Sequence, residues 1–479
     1  MPRHASHRRR LVRAAAALAL LGLALPAFAA PAPPPVVKPR AVILTDVLNE
    51  PDDTQSLVRA LLYSNEIDLV GLVATTSTWQ KAAVHPEEIR RVIAGYGQAL
   101  PNLRVHAAGY PDADKLLSVV RAGRADYGLA GVGEGKDTEA SRLIIDAVDA
   151  ADDRPLWICV WGGAVDLAQA LYHVEKTRSP EQVAAFVGKL RVYSISDQDD
   201  AGPWVRARFP QLFWIASIHA FSDYPQAAWQ GMSADSVFPD PGPDTRLMSP
   251  AWLDEHIRQG PLGGLYPKPL FAIEGDSPSF LYLIPNGLNV TEHPEYGGWG
   301  GRYGAVSARL GLYADTQDTA VGADGKTHTS NRVGIWRWRE ASQNDFANRI
   351  QWTLAGDPKT ANHPPRVVLQ GDRGLAPLEL TVRYGEKIRL DATGTTDPDG
   401  DALRYRWWWY RDPSPPLFPM TPPDIASPDA VATDIVLPNA QPVPGEKVYH
   451  LVLEVRDRPK AGGLSFVRYR RAVVHVLPK

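Results

Sequence analysis

The sequence predicts an α/β domain built on an open parallel sheet with helices on both faces, followed by an all-β, immunoglobulin-like sandwich. Apolar runs alternate with amphipathic segments over residues 41–355, which is the pattern of a parallel sheet covered by helices. From residue 366 to 479 the pattern changes to short alternating strands, at the spacing of a sandwich of about seven strands. Residues 356–365, which include two consecutive prolines, are the predicted linker.

The individual elements follow from periodicity and from turn-forming residues. Strands of the first domain are predicted at residues 41–44, 67–75, 105–108, 156–161, 190–195, 212–217 and 270–273. Helices are predicted near residues 54–65, 86–99, 138–150, 164–175 and 250–258. Long loops, which often carry function, are predicted at residues 223–249 and 286–330. Strands of the second domain are predicted at residues 378–382, 387–391, 403–409, 433–437, 448–455 and 467–476.

The N-terminal segment has the composition of an export signal. Residues 1–29 carry five arginines, at positions 3, 8, 9, 10 and 13, then an apolar run at 14–25, and end in the sequence Pro-Ala-Phe-Ala. This predicts a cleaved signal peptide and a secreted or periplasmic protein, followed by a proline-rich linker at 30–40. An uncleaved anchor is the alternative, but twelve apolar residues are short for a bilayer span. The arginines allow either a general or a twin-arginine export route.

Charge and cysteine content exclude several classes of function. The formal net charge is −3, and the segment at 1–29 contributes only positive charge, so a general nucleic-acid binder is not expected. Cys159 is the single cysteine, which excludes an internal disulfide and a cysteine-based zinc site. It lies in an apolar run and is expected to be inert packing.

An acid-rich turn follows the first predicted strand. Five oxygen-bearing side chains fall within eight positions, namely Asp46, Asn49, Glu50, Asp52 and Asp53. So much like charge in one loop requires a cation or strong hydrogen bonds, and Ca²⁺ is a suitable cation. The alternative is that Asp52, Asp53 and Thr54 only cap the next helix.

Several segments resemble known proteins. Thr45-Asp46 and Asp52-Asp53-Thr54, residues 71–78 and residues 162–171 resemble the nucleoside hydrolase superfamily. Residues 196–200, 274–280 and 293–303 resemble its secreted, nucleoside-hydrolase-like branch that is labelled cellulose-binding. In the second domain, residues 391–407 resemble the polycystic-kidney-disease type of immunoglobulin-like module.

The first resemblance implies a site and a reaction. One Ca²⁺ would be held by Asp46, Asp53, the carbonyl of Val165 and Asp276, with Asp46 also the base that activates water and Asp52 close to the sugar or the metal. The implied reaction is hydrolysis of an N- or O-glycosidic bond in a carbohydrate or nucleoside-like compound. The alternative is a carbohydrate-binding protein, for cellulose or another plant polysaccharide, that has lost catalysis.

The leaving group would need an acid. The nucleoside hydrolases have a histidine directly before the last aspartate, and Gly275 stands there in this chain. The candidates by sequence are His219, Glu274 and His293, although a lone histidine is more often structural.

Further candidates would contact the substrate. They are Asn49, Glu50, Thr78, Asp199, Asp200, Tyr296, Trp299 and Arg302. Asp199 and Asp200 follow a predicted strand and could instead belong to a solvated loop or a helix cap. Aromatic rings such as Tyr296 and Trp299 match the C–H face of a sugar, but aromatics among glycines also pack loops down.

Two features of the second domain have alternative interpretations. Residues 407–409 are three tryptophans, of which one face is predicted to lie in the sandwich core and the other to be either exposed for a ligand or, as we favour, covered by the first domain. Asp397, Asp399 and Asp401 either bind Ca²⁺ or form a turn.

Overall fold

The protein is described by a computed structural model that covers residues 37–219, 221–233, 240, 242–414, 420–441, 445–460 and 463–478, with only the backbone for residues 221 and 222. The predicted signal peptide at 1–29 and most of the predicted linker at 30–40 lie outside these ranges. Within the described ranges, no helix combines the length and the apolar composition needed to cross a bilayer.

The first domain is organised on an eight-stranded sheet with the order β3-β2-β1-β4-β5-β6-β8-β7. All neighbouring strands are parallel except β7, which is antiparallel to β8. The strands are β1 (Arg40–Thr45), β2 (Asp68–Ala74), β3 (Val120–Ala122), β4 (Leu156–Val160), β5 (Leu190–Ser196), β6 (Phe213–Ser217), β7 (Tyr303–Ala305) and β8 (Leu312–Asp315). A separate hairpin consists of β9 (Asp318–Val321) and β10 (Thr327–Ser330).

Helices cover both faces of this sheet, as predicted. They are α1 (Pro51–Leu62), α2 (Pro86–His106), α3 (Ala113–Leu117), α4 (Glu139–Asp149), α5 (Val165–Thr177), α6 (Pro180–Gly188), α7 (Ala201–Arg208), α8 (Pro250–His256), α9 (Gly260–Gly263), α10 (Ser277–Leu281), α11 (Val333–Trp336) and α12 (Arg339–Leu354). An apolar core lies on each face of the sheet, and the side chains of β1 alternate between them. Ala41 and Ile43 pack into one core, whereas Val42 and Leu44 pack into the other. The wholly buried, apolar β1 is therefore the centre of the domain.

The chain order places a ligand crevice beside β1. From β1 the chain builds β2 and β3 on one side, then crosses back to build β4, β5 and β6 on the other. Between β1 and β4 the connections leave in opposite directions, which opens a crevice at the carboxyl ends of these strands. The residues after β1 therefore lie where open parallel sheets bind ligands.

The structure corrects three predicted elements. Residues 105–108 are not a strand, because α2 continues through Pro101 to His106, with Leu100 and Leu103 buried at helical spacing. Residues 270–273 are not a strand either but a turn, in which the Ile273 amide donates to Ser233 Oγ. The predicted loop at 286–330 contains four strands, of which β7 and β8 extend the main sheet.

The second domain is an all-β sandwich, as predicted. One sheet has the order β11-β17-β16-β13 and the other β12-β15-β14. The strands are β11 (Leu378–Arg383), β12 (Lys387–Asp391), β13 (Ala402–Tyr410), β14 (Asp424–Ile425), β15 (Ala432–Val436), β16 (Lys447–Arg458) and β17 (Val467–Leu477). Trp407 lies in the core between the sheets and donates from its indole to the Ala430 carbonyl.

The two domains pack against each other through aromatic side chains. Trp338 of the first domain lies against Trp408, Tyr410 and Tyr469 of the sandwich, with ring centroids 5.6 to 5.9 Å apart. The alternation along β13 thus directs Trp407 into the sandwich and Trp408 toward the first domain.

Candidate functional site

A cavity of about 420 Å³ opens at the carboxyl edge of the sheet, next to the end of β1. Its lining combines carboxyl and amide groups with large aromatic and apolar side chains. The lining residues are Asp46, Asn49, Glu50, Asp52, Asp53, Trp79, Ile195, Gln198, Tyr224, Trp229, Gln230, Phe271, Ala272 and Asp276.

Three separate segments bring the acids to this cavity. Asp46 follows β1 directly, and Asp52 and Asp53 lie in the first turn of α1, which begins at Pro51. Asp276 comes from the far side of the cavity, where it is the residue before α10. As the helix-cap alternative expects, Asp52 and Asp53 lie in the first turn of α1 and the Asp53 amide donates to Asp52, whereas Glu50, the residue before the helix, forms no side-chain cap hydrogen bond.

The carboxyl groups are close together and buried. One oxygen from each of Asp52, Asp53 and Asp276 lies within 4.8 Å of the other two. These residues are 6%, 3% and 2% exposed, and Asp46 is 2% exposed. Few hydrogen bonds compensate for this burial: Thr45 Oγ1 donates to Asp53, the Asp53 amide donates to Asp52, and Ser77 bonds to Asp46.

This arrangement raises the pKa of every carboxyl group in the cluster. Burial, followed by repulsion from neighbouring acids, raises the pKa of Asp52, Asp53 and Asp276 well above the ordinary value. Burial also raises the pKa of Asp46 and of Glu50, which is additionally repelled by Asp46. Protonation and a bound cation are the two ways to relieve such repulsion.

The residues present fit a hard cation. Among the residues that the structure describes, the lining offers five carboxyl groups and no lysine, arginine or histidine that would neutralise them. Asp276 Oδ2 is buried and has no hydrogen-bond partner. The buried guanidinium of Arg59, in the same helix as Asp52 and Asp53, is paired with Glu274 at 2.9 Å. A cluster of oxygen donors with one orphaned carboxylate oxygen is suited to Ca²⁺, which prefers oxygen ligands.

The structure brings six of the predicted site residues together. Asp46, Asn49, Glu50, Asp52, Asp53 and Asp276 all line the cavity. Thr78 and Val165 do not, although Thr78 precedes the lining residue Trp79. Val165 is the first residue of α5, and its side chain is directed toward Gly131.

Glu274 has a different environment from the one predicted. Its carboxylate is fully buried and accepts hydrogen bonds from Arg59, Tyr266 and Ser277. A carboxylate held in this way by a permanent cation does not serve as a leaving-group acid. Its role is to fix the segment before Asp276 against α1.

The two candidate histidines also lie outside the cavity lining. His219 Nε2 lies 2.6 Å from Asp315 Oδ2, and this hydrogen bond raises the pKa of His219. His293 is about half exposed, pairs with Glu295 and stacks on Tyr296. Neither histidine supplies an acid to the acidic cluster in this structure.

The predicted sugar-stacking loop packs instead against the sandwich. Trp299 is 1% exposed and lies edge-on to Tyr469, and Tyr296 lies edge-on to His450. Arg302 forms a buried ion pair with Asp318. These side chains therefore hold the loop against the rest of the protein, as the alternative interpretation expects.

Asp199 and Asp200 organise the neighbouring loop rather than line the cavity. Asp199 is buried, accepts the amides of Ala201 and Gly202, and has its pKa raised to about 6 by burial. Asp200 accepts the amide of Leu129. Both therefore follow the loop-and-cap alternative.

Sequence reasoning missed the walls of the cavity. They are Trp79, Ile195, Gln198, Tyr224, Trp229, Gln230, Phe271 and Ala272. Gln198 could have been found from the sequence, because it follows the strand predicted at 190–195. In the structure it donates to the Trp161 carbonyl at 2.6 Å. Tyr224, Trp229 and Gln230 belong to a predicted loop without a motif, so only the fold identifies them.

Known proteins match the chain over both domains. The family described as "Cellulose-binding Sde182, nucleoside hydrolase-like domain" matches residues 40–303, and "Cellulose-binding protein Sde0182, C-terminal domain" matches residues 387–476. A solved structure of a nucleoside hydrolase-related hypothetical protein from Saccharophagus degradans, described as associated with carbohydrate metabolism, is 34% identical with a TM-score of 0.76. The match covers 92% of this chain and 100% of that chain.

Two bacterial-effector structures are far more distant. The effector protein XOO4466 is 12% identical with a TM-score of 0.32, covering 67% of this chain and 95% of that chain. The type III effector protein XopQ, solved with adenosine diphosphate ribose, is 13% identical with a TM-score of 0.27, covering 67% and 94%. A search of curated proteins gives no match.

The parallel sheet with its acidic cavity and the appended sandwich define a nucleoside-hydrolase-like protein with a C-terminal β domain. The family match extends over more than half of the chain. The chain belongs to the cellulose-binding Sde182 family with a nucleoside hydrolase-like domain, which confirms the resemblance inferred from the sequence.

Proposed function

We propose that this protein is an exported, Ca²⁺-dependent hydrolase of glycosidic bonds, with the acidic cavity as its active site. The observation that supports this most is the group of buried oxygens from Asp52, Asp53 and Asp276 within 4.8 Å of one another. Burying this much like charge costs several kcal/mol unless the acids are protonated or a cation is bound. Natural proteins keep such an arrangement where it has a function.

The ligand set that we propose differs in part from the one implied by the sequence. Asp52, Asp53 and Asp276 would each supply a carboxylate oxygen, and Asp276 Oδ2 is without another partner. The carbonyl of Val165 is left out, because Val165 begins α5 and lies outside the cavity lining. Water and substrate hydroxyls would complete the six to eight oxygens that Ca²⁺ takes.

The metal and the lining side chains would have different roles in the reaction. A bound Ca²⁺ supplies positive charge that holds sugar hydroxyls and lowers the pKa of a nearby water. Asp46 lies in the same cavity, is oriented by its hydrogen bond to Ser77, and would accept the proton of the attacking water. Trp229 and Ile195 form apolar walls that limit the access of bulk water.

A second function, carbohydrate binding without hydrolysis, is favoured by one specific observation. His219, Glu274 and His293 all lie outside the cavity lining, so none of the predicted leaving-group acids is in place. The family name also describes its members as cellulose-binding. In this function the acidic cluster would hold a cation that orients sugar hydroxyls only.

A turnover screen separates the two functions. Purified protein is incubated with nucleosides and with plant-polysaccharide fragments, in Ca²⁺ and in excess chelator. A hydrolase releases sugar only in Ca²⁺, and Asp46→Asn lowers the rate by about 10²- to 10⁴-fold. The control is Asp153→Asn, an exposed acid ahead of β4 at the opposite edge of the sheet, which leaves the rate unchanged. Glycan binding without turnover in the unsubstituted protein would instead support the binding function.

The proposed function also includes export from the cytoplasm and a defined class of ligand. The basic and apolar segment at 1–29 would be removed during export to the periplasm or the medium, and the partner would be a carbohydrate or nucleoside-like small molecule rather than a nucleic acid. The mass of the protein recovered outside the cytoplasm tests this directly. A mature N-terminus near residue 30 supports export, and an intact residue 1 contradicts it.

A further inference from the structure

Two exposed aromatic side chains border the acidic cavity. Trp79 is 53% exposed and Phe271 is 58% exposed, and both belong to the cavity lining. No other tryptophan, tyrosine or phenylalanine side chain that the structure describes is as exposed. The acids at the base are 2 to 6% exposed, so the cavity has a polar base and an aromatic rim. Exposed apolar groups concentrated at one place are typical of a binding surface.

Hydrogen bonds hold both rim segments in place, and those of the Trp79 segment connect it to Asp46. The amide of Trp79 donates to Ser77 Oγ at 3.0 Å, and the side chain of the next residue, Gln80, donates to the Asp46 carbonyl at 3.2 Å. On the other side, the Ile273 amide donates to Ser233 Oγ at 2.8 Å, two positions after Phe271. The aromatic rim and the acidic base are therefore parts of one organised site.

The charge of the cavity restricts what can bind there. Five carboxyl groups line it, and lysine, arginine and histidine are absent from the described lining. The described lining therefore offers carboxyl groups, and no cationic side chain that would form an ion pair with an anionic group on a ligand. A sugar that carries a carboxylate, sulfate or phosphate would therefore be repelled, whereas an uncharged sugar would not.

The size of the cavity limits the length of the ligand. Its volume of about 420 Å³ lies near the lower end of small-molecule sites, which span roughly 300–1,000 Å³. Such a volume suits a few sugar rings at most. Trp79 and Phe271 line the same cavity as the acids but are exposed, and their flat faces match the C–H face of a pyranose that follows a sugar bound at the acids.

We propose that Trp79 and Phe271 hold the second, uncharged sugar unit of a glycan whose terminal unit lies at the acidic cluster. The site thus selects the ends of neutral glycan chains and rejects charged glycans. This inference rests on the proposed function only in that the cavity binds a sugar, and it holds whether or not the bound sugar is hydrolysed.

Calorimetric binding with matched glycans tests the inference. The probes are neutral tetrasaccharide fragments of β-glucan, xylan and mannan in Ca²⁺, together with the β-glucan fragment oxidised at C6 to carry carboxylates. We expect a neutral fragment to bind, and Trp79→Ala and Phe271→Ala each to weaken it about 10-fold. We expect the oxidised fragment to bind at least about 10-fold more weakly than its neutral parent, with a difference that shrinks at high NaCl concentration.

The controls separate a rim effect from a general loss of structure. Leu270→Ala removes an apolar side chain that is 66% exposed, adjacent to Phe271 and outside the cavity lining, and it should not change binding. Equal binding of charged and neutral fragments, unchanged binding by both rim variants, or no binding of any neutral fragment would each overturn the inference.

The outcome is independent of the hydrolysis test. If Asp46→Asn abolishes turnover but the rim variants do not change it, the proposed reaction is supported and the rim has no part in it. Neutral-glycan binding that requires the rim, without turnover, would support the inference and refute hydrolysis.

Discussion

Replacing Asp276 with asparagine should change the stability of the protein in opposite directions with and without Ca²⁺. The amide has nearly the same shape as the carboxylate but removes one negative charge from the group formed with Asp52 and Asp53. Two carboxylates at the upper limit of this spacing, 4.8 Å, would repel each other by about 3.5 kcal/mol at an effective dielectric constant of 20. The raised pKa values of these acids favour protonation, which limits this repulsion, so we expect a gain of about 1 to 3 kcal/mol for the metal-free variant.

This gain corresponds to a small but measurable change in melting temperature. The entropy of unfolding for a chain of this length is about 1 kcal/mol per kelvin, so the metal-free variant should melt about 1 to 3 °C higher than the unsubstituted protein. With Ca²⁺ at 100 times its dissociation constant, the unsubstituted protein should gain about 2.7 kcal/mol, or roughly 3 °C. Asp276→Asn should lose most of this gain.

The pH dependence follows from the same repulsion. Burial, then Asp53 and Asp52, raise the pKa of Asp276 in the folded protein well above its ordinary value. The folded state therefore holds more protons than the unfolded state, and the stability of the metal-free protein falls as the pH rises above about 4. Asp276→Asn should make this decline shallower.

Differential scanning fluorimetry between pH 5 and 8, in Ca²⁺ and in chelator, measures all three effects. Asp153→Asn is the matched control, because it removes an exposed acid at the opposite edge of the sheet. The reasoning is refuted if Asp276→Asn lowers the melting temperature of the metal-free protein or keeps the full Ca²⁺-dependent gain.

Two further predictions concern buried ion pairs outside the cluster. Glu274→Gln leaves the charge of Arg59, whose side chain is fully buried, without its carboxylate, so urea unfolding should show a loss of about 3–5 kcal/mol; a loss below about 1 kcal/mol would contradict the pairing. Burial favours protonation of Asp345, but Arg468 and Arg349 outweigh it and lower its pKa to about 2. A lowered folded-state pKa stabilises the protein above pH 4, and this contribution of about 2 kcal/mol is lost as the pH falls toward 2. Asp345→Asn should remove it and flatten acid unfolding in that range, and an unchanged acid transition would contradict the assignment.

The part of the fold that the sequence predicts is the part encoded by local patterns. Strand β1 is an uninterrupted apolar run, and Asp46, Asp52 and Asp53 follow it within a few positions, so both the strand and the acidic turn are visible in one short stretch. Asp276 was placed at the same site through a family resemblance rather than through any local pattern. In the structure Asp276 precedes α10 and lines the same cavity, although the strand predicted at residues 270–273 is absent.

The parts that the sequence does not predict depend on contacts between distant segments. Glu274 looks like a free acid in the sequence, and only the fold shows its partner Arg59, which is 215 positions away. Trp299 looks like a sugar platform beside glycines, but Tyr469 of the sandwich covers it. Trp79 carries no motif, and its importance lies in being exposed where other aromatics are covered.

Two errors in the predicted secondary structure also come from contacts between distant segments. Residues 105–108 have the composition of a short strand, but buried Leu100 and Leu103 continue the apolar face of α2 to His106. Strand β8 has half-buried residues and no alternating pattern, and it forms because its backbone pairs with β6. Tertiary pairing thus overrides weak local preference.

A diffraction experiment on crystals grown in Ca²⁺ tests the central claim most directly, because anomalous scattering locates the ion. We predict one peak within about 2.3–2.6 Å of carboxylate oxygens from Asp52, Asp53 and Asp276, and no peak there in crystals of Asp276→Asn. An acidic cluster without an anomalous peak at millimolar Ca²⁺ would contradict the account.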